Sequence, residues 1–385
     1  MARLSDPLDA GVAVLKFGGS AFADLSGYHH GAGYVADRVA QGRRVVVVVS
    51  AMSGTTGKLQ EALRDVHESP TPAVSSLMLT TGELVSVALM AAAVERLGVS
   101  AVGLNGNQLG LTVDGPTDRA RLCAIDPTPL RGALTEASVV VVPGGQAADD
   151  RGNTVMLGRN SSDLSAVAAA VAVGAESCEI FSDVLGVCSA DPYLVPTART
   201  LPRVSYESML LFARAGAKVL HGHAVGWAQE YGVRIICRSL PPEAMAATTI
   251  GVGPPVAAAL LHERGDVWRF DDEAARESAA TELVAEGLDA NPVDADERYL
   301  VVTHYGNATL ARRCCAEGEP RPELWLLTVL HEDGSAEQVI LPRSDGRAEL
   351  IRRHDQLYRD QGPSGAISRK ARSGKSGLLL GSRGI

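Results

Sequence analysis

The sequence predicts an α/β protein: a three-layer αβα sandwich with a mostly parallel sheet over residues 1–245, then a small α+β domain over 246–360 and a flexible basic tail over 361–385. Three observations carry this expectation. Short apolar runs alternate with helix-like stretches through roughly the first two hundred residues, the rhythm of strand, loop and helix. Those runs end in glycine-rich turns, and open parallel sheets bind ligands beyond the carboxyl ends of their strands. Ala, Gly and Val abound while aromatic residues make up only 4%, which suits close packing of helix on sheet better than an all-β sandwich.

The elements follow in order. Val12 to Leu15 reads as a buried strand that runs through Lys16 into the turn Phe17-Gly18-Gly19-Ser20. An amphipathic helix is expected from Gly31 to Gln41, and the five consecutive valines Val45 to Val49 mark a parallel strand covered on both faces. Ser50 to Gly57 is a small-residue loop; a helix from Lys58 to Val66, a proline-marked loop and a long Ala-rich helix from Thr81 to Leu97 come next. Ala101 to Leu104 and Val139 to Val142 are strands, the latter followed by Pro143-Gly144-Gly145 and a polar hairpin-like stretch through Asp149 and Gly152. After the loop Leu157-Gly158-Arg159, a helix from Ser162 to Val173 leads to a strand from Cys178 to Phe181, which opens on Ser182 and Asp183.

Pro241-Pro242 and the stretch from Gly251 to Pro255 interrupt this pattern and place a boundary near residue 245. Beyond it, strands at Val267 to Phe270, Tyr299 to Val302, Trp325 to Leu330 and Gln338 to Leu341 alternate with helices at Asp272 to Glu286 and Ala308 to Ala316. The Gly/Ser-rich tail after Gln361 is expected to be disordered.

Composition excludes several functions. A net charge of -9 repels a polyphosphate backbone, so no nucleic-acid partner is expected and any anionic ligand must be held by a local cluster of cations. No stretch reads as long and apolar enough to span a bilayer, so no membrane partner is expected either. The six cysteines show no CxxC spacing and the N-terminus no apolar signal core, which points to reduced thiols in a cytoplasm. Adjacent Cys314 and Cys315 read as packing residues rather than a redox pair. His29-His30 and the pair His221 and His223 lack carboxylate or thiolate company at ligand spacing and read as solvated or capping residues. Ser373-Gly374-Lys375-Ser376 imitates the end of a phosphate-binding loop, but Arg369 stands where the first glycine is needed and no apolar strand precedes it.

Lys16 beside Gly18 and Gly19 is a candidate phosphate site, because a lysine leaves a strand next to backbone N–H groups that a phosphate can approach. Alone, it is a weak signal. Read together, KFGGS (Lys16 to Ser20), SAMSGTTG (Ser50 to Gly57), TGE (Thr81 to Glu83), LGRNSSD (Leu157 to Asp163), SDVLGVCSADP (Ser182 to Pro192) and GAKVLH (Gly216 to His221) resemble, in order and spacing, the motifs of aspartate kinases of the amino acid kinase family. The resemblance extends over residues 11 to 240.

It implies ATP-dependent phosphorylation of the side-chain carboxylate of aspartate, with Mg²⁺ bridging the β- and γ-phosphates. Bringing two anions together requires cations on both. By similarity, Lys16 with the Gly18 and Gly19 amides would hold the transferring phosphate, Lys218 would approach from the opposite side, and Asp163 would position the lysines. The expected ATP-binding set is Lys16, Phe17, Gly18, Gly19, Ser20, Ser50, Ser182, Asp183, Cys188, Ser189, Asp191, Pro192, Tyr193 and Lys218. In the nucleoside part, Cys188 replaces the family's tyrosine, losing ring area and a hydroxyl.

An amino-acid substrate needs a cation for its α-carboxylate and an anion for its ammonium; Arg159 fits the first and Glu83 the second, with Thr56 and Ser162 as hydroxyl donors. Departures from the family pattern fall in this region: Asn160 and Ser161 stand where two glycines are usual, Gly145 where an aromatic is expected, and Gly57 where asparagine follows the threonine. The C-terminal unit occupies the place of the family's amino-acid-sensing ACT domains and reads as a degenerate ACT-like or dimerising domain; a homo-oligomer, specifically a dimer, is expected. An amino-acid kinase with another carboxylate or carbamate acceptor, or a silent nucleotide-binding partner, are the competing readings.

Overall fold

The computed structural model describes residues 11–359 apart from 159–160, 183–185, 218, 240–246, 296 and 304–306. Arg159, Asn160, Asp183, Lys218, the tail and its Ser373 to Ser376 motif lie outside the described residues.

The five valines lie on an inner strand of the main sheet. Strand Arg44–Val49 pairs in parallel with Val12–Phe17 on one side and Val139–Pro143 on the other. The sheet has eight strands, running Arg203–Ser205, Ala247–Gly251, Arg234–Ser239, Ser177–Ser182, Val12–Phe17, Arg44–Val49, Val139–Pro143 and Ala101–Gly103 across it. The last six are mutually parallel; only Arg234–Ser239 against Ala247–Gly251 is antiparallel. Each valine from Val45 to Val49 is completely buried, contributing about 1.5–3 kcal/mol.

Strand parity splits the core into two layers. Val12, Val14, Val46, Val48, Val140 and Val142 face helices Thr128–Glu136, Ser162–Val173, Tyr206–Arg214 and Gly222–Tyr231. Ala13, Leu15, Phe17, Val45, Val47 and Val49 face helices Ser26–Ala40 and Thr81–Glu95. Helix Ser162–Val173 is buried almost all round, and its alanines let it lie close on the sheet.

Two expectations are corrected here. The proline-marked loop before Thr81 contains helix Pro72–Leu79, begun by Thr71 as side-chain cap and Pro72 in its first turn. Together with Thr81–Glu95 it makes a 24-residue stretch that is long and apolar enough to cross a membrane by length and composition, contrary to the sequence reading. Val87, Met90, Ala93 and Val94 of that stretch pack on the sheet as a core layer.

The C-terminal residues form two sheets. Strand Asp266–Phe270, helix Glu273–Ala285, strands Asp289–Asp294 and Arg298–Thr303, helix Ala308–Cys314 and strand Glu319–Pro320 follow the βαββαβ order, and their sheet has the second strand beside the third, then the first and fourth. This is the ferredoxin-like arrangement. It is inserted into a three-stranded antiparallel sheet of Ala258–His262, Leu324–Leu330 and Ala336–Pro342, covered by helix Arg343–Leu357. Arg119 ties the two regions, donating to the Glu286 carbonyl at 2.6 Å and its carboxylate at 2.8 Å. Cys314 and Cys315 are buried free thiols in the apolar core of the inserted module, and burial pushes Cys315 up to about 12.

Candidate active site

The carboxyl ends of the parallel strands open on one edge, and the motif loops collect there. Lys16 lies one residue from the end of the Val12–Phe17 strand, opposite Val48 and Ile180. It shares parity with Val12 and Val14, so it leaves the sheet on the side of helix Ser162–Val173. Asp163 lies in the first turn of that helix, and its Oδ1 is 2.7 Å from Lys16 Nζ, with the two side chains 8% and 12% exposed respectively. The other carboxylate oxygen accepts the His221 backbone N–H at 3.4 Å. The chain just beyond residue 218 therefore meets the carboxylate that Lys16 meets.

Glycines set how closely the loops approach. Gly18 donates its N–H to the Phe181 carbonyl at 3.1 Å, and a Cβ there would lie 3.5 Å from Lys16 Nζ, in the space before the ammonium. At Gly19 a Cβ would be 2.9 Å from the Ala51 carbonyl. Ser20 is exposed, whereas the Phe17 ring points to the opposite layer and stacks on Phe181 at 4.9 Å. Ser50 Oγ donates to Ser162 Oγ at 2.9 Å, joining two of the expected residues directly.

Beneath Ser162 the packing is tight: a Cβ on Gly144 would sit 2.5 Å from Ser162 Cβ. The neighbouring Gly145 has φ +73°, donates to Ser165 Oγ at 2.8 Å, and would place a Cβ 2.7 Å from Ser161 Oγ. The departures at 145 and 161 are thus one physical change: Ser161, which donates to the Gly158 carbonyl at 2.7 Å, occupies space that a side chain at 145 would need.

Glu83 faces the same edge. It sits in the first turn of Thr81–Glu95, half-buried, and accepts the Ala51 N–H at 3.4 Å and the Gln146 amide at 3.3 Å. Burial raises its pKa, and the hydrogen bonds from Ala51 and Gln146 oppose that shift. Gly82 lets helix Thr55–Val66 pack over it, a Cβ there lying 3.3 Å from Thr55 Cγ2; this brings half-buried Thr56 near the start of the Glu83 helix. Neither Gln146 nor Ser165 was singled out from the sequence, since neither stands in a motif.

Glu83→Gln keeps the shape and removes the charge. If the carboxylate receives a substrate ammonium, KM for the amino acid rises about tenfold with KM for ATP unchanged, a loss typical of one charge-assisted hydrogen bond. Because burial disfavours the ionised form, Glu83 lowers the stability of the free protein as pH rises through its elevated pKa. Thermal unfolding of Glu83→Gln should lack that component, and an identical pH profile would contradict it.

The nucleoside stretch is placed unevenly. Ser182 is half-buried at its strand end. Half-buried Cys188 forms a single bridge with Thr200, and burial pushes its thiol up, keeping it neutral. Ser189 is completely buried, with its hydroxyl engaged by the Arg199 N–H at 2.9 Å and by His354 at 2.9 Å. Asp191 turns the loop by accepting the Tyr193 N–H at 2.8 Å; Pro192 is half-buried and Tyr193 is 67% exposed.

His221 corrects a reading. It stands at the start of helix Gly222–Tyr231 but makes no side-chain cap, and its Nδ1 is buried without a hydrogen-bond partner. Burial lowers its pKa, so the ring is held neutral. The spacing argument missed this because the ring is covered by tertiary packing. Just upstream, Gly216 has φ +82° and a Cβ there would lie 2.5 Å from the His262 ring. Among the described residues no group of three or more His, Cys, Asp or Glu side chains is arranged to hold a metal ion.

Comparison with known proteins agrees with this scaffold. The family model described as the amino acid kinase family matches residues 11–239. The chain is 41% identical over 229 residues to an aspartokinase of Geobacillus stearothermophilus, covering 60% of this chain and 56% of that protein. It is 42% identical over 229 residues to an aspartokinase of Mycolicibacterium smegmatis, covering 59% and 54%. The match thus spans little more than half the length of these curated relatives. Among solved structures, E. coli aspartokinase III in complex with aspartate and ADP superposes with a TM-score of 0.72 over 90% of this chain and 100% of that one; at 18% identity the likeness is one of fold. Because the family match runs from the residue before the first strand to the end of Arg234–Ser239, it takes in all the parallel strands that bring Lys16 to Asp163, and the chain belongs to the amino acid kinase family.

Proposed function

We propose that this chain is an ATP-dependent kinase that phosphorylates the side-chain carboxylate of L-aspartate, giving 4-phospho-L-aspartate and ADP. One observation carries the reading: a lysine at the carboxyl end of a central parallel strand, beside two glycines, paired at 2.7 Å with a carboxylate that also takes the His221 N–H. The similarity to aspartokinases, 41% and 42% identical over 229 residues, supports the choice of acceptor.

In this reading a carboxylate oxygen of the substrate attacks the γ-phosphorus as the bond to the ADP oxygen breaks. The acceptor is already ionised, so no general base is required. Asp163 accordingly acts through Lys16, fixing the ammonium rather than taking a proton. Lys16 and the Gly18 and Gly19 amides hold the transferring phosphate, Ser50 braces Ser162, and Lys218 is assigned to the nucleotide phosphates by the motif it stands in. Ser182, Asp183 and the Cys188 to Tyr193 loop receive the nucleoside; Arg159 takes the α-carboxylate, Glu83 the ammonium, and Thr56 and Ser162 donate hydroxyls. Mg²⁺ bound with the nucleotide would supply charge neutralisation for its phosphates. A homodimer in the cytoplasm belongs to the same reading.

The test is ADP release with a panel of acceptors. Release that requires aspartate, and is weak with glutamate and with water alone, is the expected result. Release specific to another acid would show that the paired change at Gly145 and Ser161 has redirected the acceptor site.

A further inference from the structure

The loop from Cys188 to Tyr193 is supported from behind by the last helix among the described residues. His354, on Arg343–Leu357, is completely buried and places Nε2 2.9 Å from Ser189 Oγ. Its other ring nitrogen faces Thr197 Oγ1 at 3.4 Å, and Thr197 donates to Asp355 at 2.9 Å. Counting donors gives one consistent assignment. Thr197 gives its proton to Asp355 and so accepts from Nδ1–H; burial keeps the ring neutral, which leaves Nε2 as the acceptor of the Ser189 proton, while the Ser189 oxygen accepts the Arg199 N–H.

The surroundings hold this relay in place. Ala190, Val195 and Ala198 of the loop pack with Ala259, Leu327 and Leu350 of the C-terminal sheet and helix in one apolar cluster. The Ala259 N–H donates to the Ser189 carbonyl at 2.9 Å. Tyr358 lies against the His354 ring at 4.9 Å, receives the Arg199 guanidinium over its face at 4.5 Å, and donates its hydroxyl to the Ala257 carbonyl at 2.7 Å. Two segments therefore rest on C-terminal residues: this loop on His354, and the turn after helix Tyr206–Arg214, at Gly216, on His262.

We infer that His354 is a positioning residue for the nucleotide: through Ser189 it fixes the loop whose outer residues, Cys188 and Asp191 to Tyr193, meet the nucleoside. This rests on the kinase reading above. It assigns to a helix more than one hundred and fifty residues along the chain a part in ATP affinity and none in acceptor binding. Without this acceptor the buried Ser189 hydroxyl must turn towards Tyr358, whose own proton is held by the Ala257 carbonyl, and the loop turns with it. That turn moves the nucleoside pocket without touching Lys16, Asp163 or Glu83.

The experiment compares wild type with His354→Leu and His354→Gln in the full chain, reading KM for ATP, KM for the amino acid and kcat separately. His354→Leu should raise KM for ATP about tenfold, the equivalent of one lost hydrogen bond, while kcat and the acceptor KM stay within about twofold. His354→Gln, whose amide oxygen can accept the Ser189 proton, should recover most of the loss. Thr197→Val, which removes only the outer link and keeps the fold if His354→Leu does not, should raise KM for ATP about threefold. An unchanged KM for ATP in folded variants, or a parallel fall in every kinetic constant with no rescue by glutamine, would overturn the inference. Failure of wild type itself to bind ATP would instead overturn the kinase reading on which it rests.

Discussion

Lys16→Met leaves a folded protein whose kcat is lower by about a thousandfold, the scale of removing a preorganised electrostatic donor from a reacting centre. The ammonium is almost enclosed, fixed by Asp163 at 2.7 Å, and faces the open side of the Gly18 turn. A methionine fills similar volume but neutralises no charge on a phosphate. The same change leaves the mostly buried Asp163 without its ion partner, which costs about 3 kcal/mol of stability in urea unfolding, less than a fully isolated buried charge because the His221 N–H remains. Adding Asp163→Leu should return much of that stability and none of the activity. A single variant with normal kcat would remove Lys16 from the chemistry.

Gly144→Ala is expected to cost about 3 kcal/mol and most of the activity. The added methyl would lie 2.5 Å from Ser162 Cβ and 2.9 Å from Ser162 Cα, so the helix backbone itself has to move. That helix start carries Ser162 and Asp163, and a displacement there spreads to Ser50 and Lys16. Gly33→Ala is the contrast. It lies within helix Ser26–Ala40 with nothing within 4 Å of the new methyl, and should stabilise the protein by about 0.7 kcal/mol with activity intact. Equal unfolding midpoints for the two variants would contradict this account of loop packing.

The central sheet was legible in the sequence for a physical reason. Strands covered on both faces must be apolar throughout, and Val45 to Val49 and Val139 to Val142 satisfy that without ambiguity. Parity along Val12 to Phe17 even carries the side on which Lys16 leaves the sheet. Helix Arg343–Leu357 was not legible, because it buries only Gly346, Leu350 and His354, too few to mark an apolar face. The pairing of Ala258–His262 with Leu324–Leu330 was hidden by the module inserted between them.

The site divides in the same way. Residues inside motifs were found, but the contacts that connect them across the fold were not. Gly145 and Ser161 stood as separate departures in the sequence, yet in space the hydroxyl of one fills the place of a side chain on the other. Ser189 was expected among the nucleotide ligands by its position in a motif; its hydroxyl is turned inward to a histidine 165 residues away.

Hydroxylamine trapping of an acyl phosphate tests the central claim most directly, run with ATP, Mg²⁺ and aspartate on wild type and Lys16→Met side by side. Aspartyl hydroxamate from the wild type and none from the variant is the result this account predicts. No hydroxamate from wild type that binds ATP, or equal amounts from both proteins, would contradict it.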